Sequence, residues 1–443
     1  MSRFALVALA LCVLARPALA DEQEDLENDI RQLQLEDGKQ AAPPSAEDLQ
    51  KLGKQILATM AELRQLPIKH PVTMEVATRE QIVSYVDSRL AEEMHADELL
   101  GQEAALKRLG LVPEAMDMRH FLLDLYGEQV AGYYDPFKQK FFIASWMAPA
   151  LQAPIMAHEL THALQDQSFN LKPFLTPLQD NSDATTARQA IVEGDAVIAM
   201  FAYIGKQAGQ DITPPSVGAM IRQSMGSSAY PVFQGAPPYF QEALFFPYAD
   251  GADFIQLVKK RGGWKQVSAL YGSLPRSTEQ VLHPEKYFAE KRDEPKAVDL
   301  AMKLPGWKEV HTDVLGELVV RTLLRGYLDD AAANAAASGW GGDRYRAFQR
   351  EKGLKKGARG TMVVLRSTWD TEADAKEFAA AYRTLLPKKY EGAKIKDDKA
   401  GSTCMTVEDG FARIEIRGLD VLVIDGAPDA ETLEKAAGAG WKK

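Results

Sequence analysis

The chain has 443 residues, of which 46% are hydrophobic and 26% are charged. This composition is typical of a globular protein with two or three domains, long enough to bury the core of an enzyme. The formal net charge of −10 does not favour a nucleic-acid partner, and no basic stripe with interleaved aromatic residues is present.

Residues 1–20 predict a secretory signal peptide. Arg3 provides a positive start, FALVALALCVLA is an apolar run, and ALA supplies the small-x-small pattern of a cleavage site. We expect cleavage after Ala20 and a secreted or periplasmic mature protein. No later apolar run reaches the ~18 residues that a membrane helix requires, so we expect no transmembrane segment in the mature chain.

Cysteine is nearly absent from the chain. Removal of the signal peptide removes Cys12 and leaves Cys404, which we interpret as a small buried hydrophobic residue. A zinc site built from cysteines is therefore excluded. Any zinc must be held by histidine and carboxylate side chains, the ligand set of catalytic sites.

Residues 21–65 predict an acidic N-terminal segment followed by a helix, with Ser45 as its cap. A propeptide is an open alternative for this segment. The stretch VTMEV then predicts a strand, and Thr78 with Gln81 three residues later predicts the start of the next helix. More helix follows over 97–127.

At the stretch EQVAGYYDPFKQKFFIASW the sequence pattern changes from helical to β-prone. GYY and KFFIASW are β-prone and DPFKQ is a turn signal, so this stretch predicts a β-hairpin that runs into the next helix. A later helix over 183–208 ends near Gly209. We expect loop over 210–240, a helix at FIQLVKKRGGW that its glycines stop, and a helix over 311–337.

Residues 358–443 predict a small accessory α+β domain, with a role in binding or packing. TMVVLRSTWD predicts a strand, Thr371 caps an amphipathic helix, and two or three strands precede a last helix at DAETLEKAAGAG. The expected fold class is α+β: a mainly helical domain over 66–345 with a small β-sheet edge, followed by this unit.

The stretch HELTH holds two of the seven histidines of the chain, His158 and His162. On a helix they lie 40° apart, because each residue turns 100°, so both imidazoles can reach one tetrahedral ion. Glu159 lies beside that face, where its carboxylate can take a proton from a zinc-bound water. A chance match is expected about once in a hundred such chains, so the motif favours a zinc site.

A third protein ligand is required, and Glu193 is the leading candidate. It lies within the apolar helix DATTARQAIVEGDAVIAM, where an uncompensated carboxylate is costly. Gly194 would let a second helix approach closely. Asp195 is the competing ligand, and an ion pair of Glu193 with an arginine such as Arg188 is the structural alternative.

The chain resembles the thermolysin-like (gluzincin) zinc metallopeptidases of peptidase clan MA. HELTH followed by a helix bearing EGDA is similar to their two-helix zinc site. The stretches EQVAGYYDP, HELTHALQDQ, EGDA, STEQVLHPEKY and GWGGDRY, over about 128–345, resemble exported bacterial proteins with a peptidase-MA-like domain.

The resemblance implies that Zn²⁺ is bound by His158, His162 and Glu193 and that Glu159 is the base. It also implies that KFFIASW is a sheet edge, to which an extended peptide adds as a strand. Gluzincins usually carry an aspartate four residues after the ligand glutamate, where this chain has Val197. The supporting carboxylate is then expected from Asp195, Asp183 or Asp166.

A peptidase also needs a donor for the oxyanion, and His283 in STEQVLHPEKY is the candidate. Its alternative role is to fix the loop by hydrogen bonds. Tyr133, Tyr248 and Tyr287 are further candidates for the donor.

The sequence therefore predicts an exported zinc metallopeptidase that acts on a peptide or protein substrate. One alternative is a zinc-binding protein without turnover that acts as an envelope binding module. A second alternative is a non-peptidase zinc amidase.

Overall fold

The computed structural model describes residues 8–9, 46–93, 95–145, 149–224, 230–350, 360–399 and 401–442. The predicted cleavage point and the acidic segment before residue 46 lie outside these ranges. The helices are α1 (Ala46–Arg64), α2 (Arg79–Glu93), α3 (Ala96–Leu109), α4 (Met118–Gln129), α5 (Pro149–Phe169), α6 (Lys172–Leu175), α7 (Ser182–Ala208), α8 (Val217–Ser224), α9 (Pro231–Gln234), α10 (Pro238–Leu270), α11 (Thr278–Leu282), α12 (Pro284–Phe288), α13 (Gly316–Arg325), α14 (Asp330–Ala337), α15 (Glu372–Lys389) and α16 (Ala430–Gly440). The strands are β1 (Ala8–Leu9), β2 (Thr73–Ala77), β3 (Val130–Asp135), β4 (Lys140–Ala144), β5 (Trp307–Asp313), β6 (Trp340–Arg350), β7 (Thr361–Trp369), β8 (Lys394–Lys399), β9 (Ser402–Val407), β10 (Gly410–Arg417) and β11 (Asp420–Ala427).

The first sheet has the strand order β1–β3–β4–β2 and contains the predicted hairpin. Strands β3 and β4 pair antiparallel, and the carboxylate of Asp135 closes the turn by accepting hydrogen bonds from the backbone N–H groups of Phe137 and Lys138. The expectation that KFFIASW forms a sheet edge is wrong, because β4 pairs with β3 on one side and in parallel with β2 on the other. The outer side of β3 pairs with the two-residue strand β1.

Helix α5 follows β4 and packs on β3, α1 and α7, while α7 packs along α10. An apolar stripe of α5 is fully buried; it consists of Met156, Ala157, Leu160, Ala163 and Leu164. The close approach expected at Gly194 is also confirmed. A Cβ atom added there would lie 2.3 Å from the backbone carbonyl of Gly251 on α10.

Local signals set several helix boundaries as predicted. Asn181 caps α7 by accepting a hydrogen bond from the N–H of Ala184, and Gly209 ends the helix in the left-handed conformation with φ of 68°. Thr371 begins α15 in a reciprocal capping box with Asp374. These boundaries follow from residues within one turn, and so they could be predicted from sequence.

Other elements differ from the prediction. The helix expected over 97–127 is divided into α3 and α4, because Gly110 takes φ of 83° and ends the first helix. Helices α8 and α9 lie within the expected loop over 210–240. The glycines of FIQLVKKRGGW do interrupt α10, with non-helical angles at Gly262 and Gly263, but helix resumes beyond them.

The prediction of a helix over 311–337 is also wrong in part. Residues 307–313 form strand β5, and helix begins at Gly316. Gly316 has φ of 74°, outside the helical region, and a Cβ atom there would collide with the carboxylate of Asp183. This backbone reversal separates β5 from α13, and strand β6 begins within GWGGDRY at Trp340.

The second sheet is antiparallel and has the order β5–β6–β7–β11–β10–β9–β8. Cys404 is buried in the core on one of its faces, as expected. Since β5 and β6 belong to this sheet, the predicted domain boundary between residues 345 and 358 falls within the sheet.

A buried ion pair joins α3 to this sheet. Nη2 and Nη1 of Arg108 donate to the Asp409 carboxylate at 2.6 and 3.1 Å. The hydroxyl of Tyr390 donates to the buried Asp425 carboxylate at 2.7 Å and lies 3.2 Å from Arg108 Nη1. We call Arg108, Asp409, Tyr390 and Asp425 the sheet network.

The architecture is thus a mixed α/β arrangement, compatible with the α+β class that the sequence predicts. Helices and the small hairpin sheet occupy the first part of the chain, and the antiparallel sheet with its covering helices occupies the last part. Among the described residues, no helix combines the length and the apolarity needed to cross a membrane.

Candidate metal centre

Helix α5 places the two imidazoles of HELTH side by side. Nε2 of His158 and Nε2 of His162 are 3.1 Å apart, and the rings meet edge to face with centroids 4.7 Å apart. The two rings converge because one helical turn separates them while the apolar stripe of α5 faces the core.

Glu193 on α7 completes a triangle with these histidines. Its Oε2 atom lies 3.2 Å from Nε2 of His158 and 3.2 Å from Nε2 of His162. Asp195, the competing ligand, points elsewhere and pairs with Arg64 at 2.5 Å. Of the two carboxylates, the structure thus brings Glu193 to the histidines.

The three donor atoms fit a zinc ion. Ligands held tetrahedrally at about 2.0–2.1 Å from zinc place their donor atoms about 3.3 Å apart. The three separations in the triangle are 3.1, 3.2 and 3.2 Å. Two imidazoles and one carboxylate are also a ligand set found in catalytic zinc sites.

The charges at the triangle are strongly coupled. Burial alone would raise the pKa of Glu193, but His162 and His158 outweigh it and hold this pKa at about 2. Burial opposes a charge on His162, yet Glu193 raises the pKa of His162 to about 9. Burial dominates at His158 and lowers its pKa. The triangle is therefore built around a carboxylate anion that requires a positive charge beside it.

Gln165, which the sequence analysis missed, fixes the tautomer of His162. Its Nε2 atom donates to the carbonyl oxygen of Val192 at 3.1 Å, which leaves Oε1 facing Nδ1 of His162 at 2.8 Å. Because Oε1 can only accept, Nδ1 carries a hydrogen, so Nε2 is the nitrogen that can bind a metal ion once the His162 imidazolium loses its other proton. Gln165 is three residues after His162, and this i, i+3 spacing on α5 was the available signal.

Glu159 lies beside the triangle. One ligand atom each of His158, Glu159 and His162 lies within 4.8 Å of the others. The backbone N–H of Tyr134 on β3 donates to Oε2 of Glu159 at 2.7 Å, while Oε1 is buried and has no hydrogen-bond partner among the described residues. Burial raises the pKa of Glu159 to about 8, so without a cation beside it this carboxyl holds a proton at neutral pH.

The expected supporting aspartates have other partners. Asp166 accepts from the hydroxyl of Tyr134 at 3.0 Å and from the N–H of Leu171 at 2.9 Å. Asp183 accepts from the hydroxyl and the N–H of Thr278. Nδ1 of His158 is buried without a hydrogen-bond partner among the described residues. No aspartate therefore takes the supporting position next to a histidine within the part of the chain that the structure describes.

His283 contacts a different part of the molecule. Its Nε2 atom lies 2.8 Å from Oε1 of the buried Glu317. This contact favours the alternative in which His283 fixes its loop. Tyr287 donates to the carbonyl oxygen of Ser273 at 2.5 Å, and Tyr133 stacks on Tyr85.

Among the tyrosine candidates, Tyr248 contacts the centre. Its ring lies nearly parallel to the His158 ring, with centroids 6.0 Å apart. Helix α10 thus places an aromatic ring beside His158, and Tyr248 is the tyrosine candidate that these contacts bring to the metal centre.

A second group of acidic side chains is already neutralised. Glu279, Asp293 and Asp370 surround the ammonium group of Lys286 at 2.5, 3.2 and 2.6 Å. The lysine supplies the positive charge that a metal ion would supply, so we assign this cluster a structural role.

Residues 303–437 match the family model of a domain of unknown function, DUF8575. The match begins just before β5 and ends within α16, so it covers all seven strands of the second sheet and none of the four residues at the metal centre. No curated protein and no solved structure matches the chain.

Proposed function

We propose that the chain is an exported zinc-dependent peptidase. The observation that carries this proposal is the triangle of Nε2 of His158, Nε2 of His162 and Oε2 of Glu193, with the carboxylate of Glu159 beside it. The spacing of the triangle fits zinc, and Glu159 provides the base that hydrolysis requires.

In this proposal the three triangle residues hold the ion and Glu159 moves the proton. Zinc in such a centre supplies a water of lowered pKa and polarises the substrate carbonyl. Oε1 of Glu159 accepts the proton of the attacking water and later donates it to the leaving nitrogen. The N–H of Tyr134 holds Oε2, so the carboxylate keeps one orientation through both transfers.

We further propose that the substrate adds to the outer side of β3. Two observations support this place: Ala8 and Leu9 pair there antiparallel to Gly132 and Val130, and Tyr134 on the same strand binds Glu159. Removal of the predicted signal peptide frees this side of β3. A peptide bound there by backbone hydrogen bonds lies beside the base.

The alternative of a zinc-binding protein without turnover has one observation in its favour. His158, Glu159, His162 and Glu193 are each at most 4% exposed, so the centre is closed to solvent in this structure. A buried ion with no access for substrate would stabilise the fold and perform no hydrolysis.

The Glu159→Gln variant separates the two functions. The mature native chain and the variant are loaded with zinc and incubated with a mixed peptide library. The peptidase proposal predicts cleavage by the native chain, and about 10²–10⁴-fold slower cleavage by the variant with zinc still bound. Equal product levels from both proteins, or none from either, would contradict the proposal.

A further inference from the structure

Three consecutive residues of α7 have three different contacts. Glu193 faces the histidines, Gly194 lies against Gly251 of α10, and the side chain of Asp195 is fully buried. Because two residues turn a helix by about 200°, Asp195 lies on the opposite side of α7 from Glu193. One side of α7 presents Glu193 to the metal centre, and the opposite side carries Asp195.

Asp195 is bound by Arg64, the last residue of α1. Nε of Arg64 donates to Oδ1 at 2.5 Å and Nη2 donates to Oδ2 at 3.0 Å, so the guanidinium binds the carboxylate with two hydrogen bonds. Neither side chain is exposed. This two-bond geometry fixes direction as well as distance, which a lysine could not do.

The end of α10 completes this contact. The hydroxyl of Tyr271, just beyond α10, donates to Oδ2 of Asp195 at 2.8 Å. The hydroxyl of Ser268 accepts from Nη1 of Arg64 at 3.0 Å, and the guanidinium lies 4.8 Å from the ring centroid of Trp264. We call Arg64, Asp195 and Tyr271 the helix clamp, since it ties α1 and α10 to α7 two residues after the metal ligand.

Stability alone does not explain the clamp. A buried ion pair pays a large desolvation cost and is often no more stabilising than apolar residues of similar volume. Its best-attested use is to fix the register of packed elements. At this position the ion pair would fix the orientation of α7 about its own axis.

We propose that Arg64, Asp195 and Tyr271 are positioning residues for the metal centre, which aim Glu193 at the two histidines by fixing the rotation of α7. This inference rests on the proposed zinc site. Metal ligands must be held within about 0.5 Å and 10–20° of their working geometry, so a small rotation of α7 moves Glu193 out of reach. Helix α1 is then part of the site, and removal of residues 21–65 as a propeptide would leave Asp195 buried without Arg64.

The sheet network provides matched controls in the same chain. Tyr271 donates to the buried Asp195, and Tyr390 donates to the buried Asp425. Arg64 and Arg108 each bind an aspartate through two nitrogens. Tyr271→Phe and Tyr390→Phe therefore each remove a hydrogen bond to a buried aspartate, one behind the metal ligand and one in the second sheet. Arg64→Lys and Arg108→Lys form the second pair.

The experiment measures zinc affinity by chelator competition and the visible absorption spectrum of the Co²⁺-substituted protein, which reports ligand geometry. We expect Tyr271→Phe and Arg64→Lys to weaken zinc binding by about tenfold and to alter the Co²⁺ spectrum. Tyr390→Phe and Arg108→Lys are expected to leave both readouts unchanged, even where they lower stability.

Each outcome bears on a separate statement. If the native chain binds zinc and the clamp variants bind it with native affinity and native spectrum, the positioning role is overturned while the zinc site stands. If all four variants lose affinity in proportion to lost stability, the clamp is structural and the inference is likewise overturned. A native chain that binds neither zinc nor Co²⁺ overturns the proposed centre and the clamp together.

Discussion

The carboxylate of Glu193 lies 3.2 Å from Nε2 of His162, although the two residues belong to different helices. The next residue, Gly194, lies where α7 and α10 approach so closely that no side chain fits between them. The ligand and the glycine of this helix crossing are thus adjacent in sequence.

The hydrogen bond from His162 to Gln165 sets the tautomer that a metal ligand needs. Gln165→Leu removes the acceptor, and we expect zinc affinity to fall by about 10–100-fold. Gln165→Glu keeps an acceptor in the same place and should bind zinc more tightly than the leucine variant. Chelator competition on the three proteins measures this order. A leucine variant with native affinity would show that the tautomer is set by something else.

Gly194→Ala places a methyl group 2.3 Å from the backbone carbonyl of Gly251. Because backbone cannot give way like a flexible side chain, we expect a loss of about 1–3 kcal/mol in the free energy of unfolding. Gly438→Ala is the control: an added Cβ meets nothing within 4 Å there, and alanine should add up to ~1 kcal/mol. Urea unfolding of the metal-free proteins measures both changes, and equal effects would contradict the tight crossing.

His283 is expected to contribute to stability and not to turnover. Its hydrogen bond to Glu317 raises the pKa of His283 above 6.5, so this contribution is fully present below that value and is lost as the pH rises through the raised pKa. His283→Gln should therefore lower the free energy of unfolding by about 1 kcal/mol under acidic conditions and change it little at alkaline pH.

Denaturant titrations of the native chain and of His283→Gln at about pH 5.5 and about pH 9 measure this difference. Peptide cleavage at neutral pH provides the second readout. Retained cleavage with an acid-dependent loss of stability supports the loop-fixing role. If cleavage is abolished while stability is unchanged at both pH values, His283 acts in the reaction instead.

The parts of the site that follow from short-range sequence signals could be predicted. His158 and His162 share a helical face because of their spacing, and Glu193 stood out as a carboxylate in an apolar helix. The choice between Glu193 and Asp195 could not be made from sequence. It depends on Arg64, which approaches α7 from a distant helix, and such a contact leaves no local pattern.

The fold shows the same difference between elements set by short-range sequence signals and elements set by distant contacts. The hairpin at Asp135 and the capped start of α15 at Thr371 follow from residues within one turn. The assignment of β5 failed because its strand pairing with β6 and the reversal at Gly316 are tertiary effects, which override local helix preference. The central position of β4 was missed because it depends on β2, a strand far away in sequence.

The metal content of the purified mature chain tests the central claim most directly. Elemental analysis is performed on the native chain and on a variant that combines His162→Ala with Glu193→Ala, both after exposure to zinc and removal of free metal. We predict about one zinc ion per native chain and almost none in the variant. A native chain without zinc, or a variant with as much zinc as the native chain, would contradict the account.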